Sequence, residues 1–319
     1  MWKQEPYCLR LRRRTVKKLP EFPKHITMVE MGARDGLQNQ PTFIKAEQRA
    51  LFIDLLSQTG LSRIEAGSFV SPEKVPQMAG SDQVFQYIKR QNNIIYSALT
   101  PNLKGFDAAM AAGANEVAIF GSASESFSEK NINRSIAESL KRFEPVMEAA
   151  QSHKIPVRGY VSCVLGCPYE GTIMPKQVAS VSNALYQLGC YEISLGDTIG
   201  TGTPLKTKQM LEAVRSSVPV NNLAAHFHNT YGQALANLYS IIEEGVTVID
   251  SSVAGLGGCP YAPGASGNVA TEDVVYMLEG MGIKTGINMN ELLKAATFIC
   301  ALLGIQSRSN VGLALAQKP

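Results

Sequence analysis

Eight short apolar runs, each followed by a segment with helical spacing, constrain this 319-residue chain more than any other feature. The runs cover residues 26–32, 61–66, 93–99, 115–120, 157–164, 191–195, 223–228 and 247–251. Between them, apolar residues recur at helical intervals over 46–59, 83–90, 103–112, 132–153, 175–188, 205–217 and a segment ending at Glu243. Strands that alternate with helices pair in parallel, because a parallel pair needs a crossover connection. Eight such units imply closure into an α/β barrel of the (β/α)8 TIM type, with an open doubly wound sheet as the alternative. Residues 268–303 read as extra C-terminal helices packed outside or beneath the barrel. With no linker or low-complexity segment in view, residues 25–319 are expected to form a single domain.

Composition narrows the partners. Apolar residues make up 45% of the chain, yet no apolar run approaches the roughly 20 residues of a membrane span, so a soluble protein is expected. The net charge of +3 is uneven. Residues 1–24 hold eight Lys or Arg against two Glu, and the remainder is slightly acidic. That segment reads as a basic N-terminal arm, poorly ordered, either a presequence or a tail. The near-neutral body and the lack of interleaved aromatic and basic residues argue against a nucleic-acid partner. The cysteines are scattered and read as reduced thiols. Cys163 and Cys167 form a C-x3-C without the second pair that a structural zinc site needs. No G-x-G-x-x-G follows the first strand and no G-x-x-x-x-G-K-[ST] occurs.

In a barrel of this type, chemistry sits at the C-terminal ends of the strands. Those ends carry Glu30, Arg34, Asp35 and Gln38 on the first unit, Glu65 and Ser68 on the second, and Arg158 and Cys163 on the fifth. Asp197 and Thr198 follow the sixth, and His226 and His228 the seventh. The chain has four histidines, and two of them fall in this H-x-H. Side chains at i and i+2 of a strand share a face, so these imidazoles stand together, though an isolated H-x-H is more often structural than metallic. With Asp35 they make a 2-His-1-carboxylate set suited to an octahedral ion: Mg2+, Mn2+, Fe2+ and Zn2+ all remain open. The competing reading of Asp35 is a turn aspartate before Gly36. After the eighth strand, residues 255–267 hold five glycines, either a plain surface loop or a lid. Cys259 sits within it, where a thiol can meet whatever enters the site.

Several segments together resemble the hydroxymethylglutaryl-CoA lyase family: VEMGARDGLQNQ (29–40), SFVSPEKVPQMAG (68–80), RGYVSCVLGCPYEG (158–171), YEISLGDTIGTGTP (191–204), HFHNTYGQALAN (226–237) and VAGLGGCPYAPGASGNVATEDVVYMLEG (253–280). The likeness runs from about residue 26 to about residue 305. It implies a divalent-metal-dependent carbon–carbon lyase that splits 3-hydroxy-3-methylglutaryl-CoA into acetyl-CoA and acetoacetate, with Mg2+ or Mn2+ as cofactor. It implies that Asp35, His226, His228 and Asn268 bind the metal, that Arg34 engages substrate, and that Glu65 supports the site. Cys259 is implied as catalytic, with Asp197 a further site acid. A homodimer is implied, in the cytoplasm of a bacterium or the mitochondrial matrix of a eukaryote. Lys104 and Lys130 are candidates for the CoA phosphates against a plainer reading as solvated charges.

The sequence departs from the family's pattern at Asn229, where an aspartate is usual, at Ala33 for a proline, at Pro41 for a lysine, and at Ala66-Gly67 for threonines. The last change borders Glu65 and is expected to bear on substrate fit. Cys300 is the last cysteine, so thiol-gated control of a dimer is not expected. Rival readings are a lyase for a related 3-hydroxyacyl-CoA, a Claisen-condensing acyltransferase of the same superfamily, and a non-catalytic metal-binding barrel.

Overall fold

A computed structural model describes residues 21–258 and 267–316. Eight parallel strands follow one another around a closed barrel: β1 (Thr27–Glu30), β2 (Arg63–Ser68), β3 (Ile95–Leu99), β4 (Glu116–Ser122), β5 (Val157–Ser162), β6 (Glu192–Asp197), β7 (Leu223–Phe227) and β8 (Val248–Ser251). Pairing of β1 with β8, Thr27 opposite Val248 through Glu30 opposite Ser251, closes the ring and rules out the open sheet.

The crossovers carry α1 (Ala46–Ser57), α2 (Ser81–Tyr87), α3 (Leu103–Ala111), α4 (Glu125–Ile132), α5 (Ile136–His153), α6 (Pro175–Leu188), α7 (Pro204–Val214) and α8 (Ala234–Ile242). Beyond β8 come α9 (Thr271–Gly280), α10 (Met289–Leu303) and α11 (Asn310–Ala316), with α10 packed against α1. The helix expected over 132–153 is α5, which begins four residues later than its expected start, and a separate α4 precedes it. Asn133, in the left-handed region at φ 54°, ends α4, and Ser135 starts α5 by accepting from the Glu138 N–H while the Glu138 carboxylate takes the Ser135 N–H. That S-x-x-E signal was present in the sequence and unused.

Strand parity sorts the side chains. Outward residues such as Ile64, Val117, Ile119, Ile193, Leu195, Ala225, Phe227 and Ile249 build the main core against the helices. The inward apolar set is small: Val29, Met31, Leu99, Ala118, Tyr160, Ala224 and Val248. The other inward positions are charged or polar, an uncommon filling for a barrel interior. Most of the basic arm, residues 1–20, lies outside the described residues. Among the described residues no helix is long and apolar enough to cross a membrane.

Candidate active site

A column of buried charge runs along the barrel axis. At the N-terminal end, Arg63 reaches Glu192 at 3.1 Å and Glu116 at 3.4 Å. Above it, Arg158 donates Nε to Glu192 at 2.6 Å and grips Asp250 with two nitrogens, at 2.7 and 2.9 Å. At the C-terminal mouth, Arg34 donates Nε to Glu65 and Nη1 to Asp35 at 2.7 Å. Tyr160 links the upper two levels, accepting from Arg158 at 3.0 Å and donating to Glu65 at 3.1 Å. Isolated charges in such an interior would be too costly to keep, so each is held by a partner.

Local backbone puts Arg34 and Asp35 at the mouth. After β1 the chain makes one π turn, Gly32–Gly36, in which the Gly36 N–H reaches back to Met31 O at 3.0 Å. The turn has no room for larger residues at its ends. A Cβ on Gly32 would stand 2.6 Å from Glu30 Oε1, and one on Gly36 2.8 Å from Ser252 Oγ. Asp35 thus enters the site from the first unit, and the alternative of a plain turn aspartate is set aside.

His226 and His228 share the inner face as their spacing predicts, with ring centroids 5.5 Å apart. Asp35 Oδ2 lies 3.9 Å from His226 Nε2 and 4.0 Å from His228 Nε2. One donor atom from each of the three residues falls within 4.8 Å of the others, the spacing of donors around one cation. Burial and the neighbouring His226 lower the His228 imidazole to about 4, so it is neutral and keeps a lone pair near neutral pH. Burial pushes the Asp35 carboxyl up, but Arg34 and the two imidazoles outweigh it and hold it at about 2. Asn268, bridged to His228 across the mouth, donates Nδ2 to Asp35 at 2.7 Å and to Leu256 O at 3.1 Å. Its Oδ1 is buried with no hydrogen-bond partner. An unpartnered buried acceptor beside three converging donors fits a site that takes a cation. At the mouth one guanidinium, Arg34, stands against two carboxylates, Glu65 and Asp35, a local excess of negative charge that favours a cation.

The mouth opens into a cavity of about 660 Å3. Arg34, Asp35, Tyr160, Thr198, His226 and His228 lie on one side, and Val70, Val75, Pro76, Phe127 and Ile132 give it an apolar wall. Lys74 and Arg142 line it as well, and these are the cations placed for an anionic ligand. Lys130 instead lies over the Tyr169 ring, 4.2 Å from its centroid, and Lys104 is not among the lining residues.

Parity corrects three expectations. Asp197 falls on an outward position of β6, and its oxygens accept from the Thr201 and Gly202 N–H groups at 3.2 and 2.8 Å. It braces the loop after β6 and does not reach the cavity. Glu30 also points outward, taking N–H bonds from Gly32 and Val253 and the Thr271 hydroxyl. Ala66 packs in the outer core and Gly67 abuts Ser81 and Arg49, so the departure there does not touch the cavity wall. Asn229 spends its side-chain oxygen on the Ala234 N–H at the start of α8, away from the donors. Cys259 lies outside the described residues. The neck of its loop is described: Gly257 at φ 128° and Gly267 at φ 94° cross so closely that a Cβ on Gly267 would stand 2.6 Å from the Gly257 carbonyl carbon.

The HMGL-like family model matches residues 25–299. The chain belongs to the HMGL-like family. It is 57% identical to the 3-hydroxy-3-isohexenylglutaryl-CoA/hydroxy-methylglutaryl-CoA lyase of Pseudomonas aeruginosa, over 93% of this chain and 99% of that one. It is 59% identical to the mitochondrial hydroxymethylglutaryl-CoA lyase of Gallus gallus, over 92% and 98%. The crystal structure of hydroxymethylglutaryl-CoA lyase from P. aeruginosa superposes with a TM-score of 0.92 at 56% identity, covering 93% of this chain and 99% of that one. The family's barrel is the one seen here.

Sequence reasoning missed Asp250, Ser194 and Tyr160, which support the donors from within the barrel. For two of them parity was the available signal: Ser194 stands two positions from Glu192 on β6 and Tyr160 two from Arg158 on β5, whereas the inward neighbour of Asp250 on β8 is Val248.

Proposed function

We propose that the protein is a hydroxymethylglutaryl-CoA lyase, a carbon–carbon lyase that cleaves 3-hydroxy-3-methylglutaryl-CoA to acetyl-CoA and acetoacetate. The observation that carries this reading is the convergence of Asp35, His226 and His228 on one point beside the orphaned Asn268 Oδ1, at the wall of a cavity that Arg34 also lines. The donor set fits a divalent cation. We assign Mg2+ or Mn2+, because half of the proposed donors are oxygens and no thiolate stands among the described ones. When bound, such an ion supplies Lewis-acid polarisation of substrate oxygens.

The residues do the rest. In the reaction the tertiary hydroxyl gives its proton to a water molecule, the C2–C3 bond breaks, C3 becomes the ketone of acetoacetate, and the electron pair passes to C2 as a thioester enolate. Arg34, held fully protonated by Glu65 and Asp35 against the cost of burial, faces that developing negative charge. Its Nε and Nη1 are engaged, which leaves Nη2 for the thioester oxygen. Glu65 supports the guanidinium from beneath and is itself fixed by Tyr160. Cys259, which falls between Gly257 and Gly267 in the sequence, is the donor that returns a proton to C2, and its thiolate is reprotonated from solvent. Lys74 and Arg142 meet the CoA phosphates. We place the enzyme in the cytoplasm if the source is bacterial and in the mitochondrial matrix if eukaryotic, as a homodimer.

A second reading concerns substrate breadth. The apolar wall of Val70, Val75, Pro76, Phe127 and Ile132 can take a larger C3 substituent than methyl, and the P. aeruginosa relative's name includes an isohexenyl substrate. The deciding assay is acetoacetate release from 3-hydroxy-3-methylglutaryl-CoA with Mg2+ or Mn2+ and again with chelator. We expect release that depends on the ion. Release that ignores the chelator overturns the metal-dependent assignment, and turnover of the isohexenyl thioester alone overturns the methyl substrate.

A further inference from the structure

The imidazole of His226 can offer Nε2 to a cation only if its proton sits on Nδ1, and the structure contains a group that fixes this. His226 Nδ1 lies 3.2 Å from Asp250 Oδ2. That same oxygen takes Nη1 of Arg158 at 2.9 Å and the Ser194 hydroxyl at 2.8 Å, while Oδ1 takes Nη2 of Arg158 at 2.7 Å. Asp250 and Arg158 are both buried. A carboxylate forked by a guanidinium, which cannot give up its proton in a protein, has no proton of its own to offer. Every partner of Oδ2 must therefore donate, His226 among them.

We propose that Asp250 is a positioning residue that holds His226 as the Nδ1–H tautomer and so aims the Nε2 lone pair at Asp35 and His228. Arg158, anchored in turn by Glu192, keeps the carboxylate in register. The ring sits on a β-strand with its other nitrogen 3.9 Å from Asp35, so fixing the tautomer and the ring plane also fixes where a cation must lie. Among the described residues His228 has no comparable carboxylate in its hydrogen bonds, so the two imidazoles are not equivalent: His226 is fixed by a carboxylate and His228 is not. The consequence for metal binding rests on the cation reading above, but the tautomer itself does not.

The test reads the two separately. Histidine-labelled, chelator-stripped full-length protein at pH about 8 is observed by nitrogen NMR, and the four ring systems are assigned by difference against His226→Gln. We expect His226 to carry its proton on Nδ1 in the absence of metal and substrate. A proton on Nε2 overturns the proposal whatever the enzyme's activity. In Asp250→Asn, the amide oxygen is drawn to Arg158 Nη2, Nη1 retains the Tyr160 hydroxyl at 3.0 Å, and the amide N–H groups face His226. The imidazole proton then moves to Nε2, and Mn2+ affinity measured by calorimetry falls about 10- to 100-fold. Wild-type Mn2+ affinity in this variant overturns the proposal. Ser194→Ala keeps Asp250 and is expected to keep the Nδ1–H form; its loss there assigns the effect to Ser194 instead. If Asp250→Asn fails to fold, the wild-type spectrum still decides.

Discussion

Arg34 shows how much depends on a single side chain here. It is bound to a carboxylate on each side, one a metal-ligand candidate and one a support, and it lines the cavity. Arg34→Gln keeps a hydrogen-bonding side chain at the turn but loses the charge proposed to meet the enolate. We expect kcat to fall about a thousandfold or more, with circular dichroism unchanged; turnover near wild type removes Arg34 from the reaction. Glu30 makes the opposite case, a buried acid with no part in the chemistry. Burial raises its carboxyl to about 7 against three hydrogen bonds that lower it. Because the folded state binds this proton more tightly than the unfolded chain, its contribution to stability is complete below about 4.5 and is lost as pH rises to about 7. Glu30→Gln can accept both N–H groups and donate to Thr271, so it keeps the contacts without the ionisation. Comparing urea unfolding at pH about 5 and 8, the variant is expected to gain about 3 kcal/mol on wild type over that interval. An equal pH slope in both proteins shows that Glu30 does not titrate there.

At the scale of elements, the segment from β2 to α2 forms one wall of the cavity through Val70, Ser71, Lys74, Val75 and Pro76. It is stapled from behind by Arg49 of α1, whose guanidinium, fully buried and with no carboxylate partner among the described residues, donates to Ala79 O at 3.0 Å, to Gln77 O at 3.4 Å and to Ser81 Oγ at 3.3 Å. Burial lowers this arginine to about 10, yet it stays charged at neutral pH. Arg49→Met fills the volume and drops the bonds. The substrate concentration at half-maximal rate is expected to rise about tenfold, with kcat changed far less, since the wall binds and the mouth reacts. A fall in kcat at unchanged KM would place the loop in the reaction itself. Elements were also where the sequence was most legible. Eight strand runs stand within a few residues of β1–β8, because barrel strands are bounded by turn residues on both sides. What stayed illegible was the side each residue faces. A one-residue shift in phase reverses a strand's faces, and Asp197, Glu30 and Arg158 look alike in a sequence until the phase is known. The histidine pair escaped this ambiguity, since i and i+2 share a side in either phase.

Across the whole molecule, the charge column ties stability to the cation. A barrel core of branched aliphatics would pack without electrostatic strain; this one carries three arginines and five carboxylates along its axis. The two lower levels are closed sets of ion pairs and hydrogen bonds. At the mouth a single guanidinium, Arg34, meets two carboxylates, Glu65 and Asp35, and there Asp35, Asn268 Oδ1 and the two imidazoles form a donor set that suits a positive partner. A ligand that binds only the folded state stabilises it by RT ln(1 + [L]/Kd), about 2.7 kcal/mol at a hundredfold excess over Kd. For a chain of this size that is a rise in melting temperature of roughly 5 °C. Scanning calorimetry of the stripped protein with and without Mn2+ is therefore expected to show such a rise, and Asp35→Asn, which withdraws one charge from the mouth, is expected to lose most of it. If added Mn2+ leaves the melting curve of the wild-type protein in place, the mouth of the barrel does not hold the ion and the metal-dependent reading of the site is overturned.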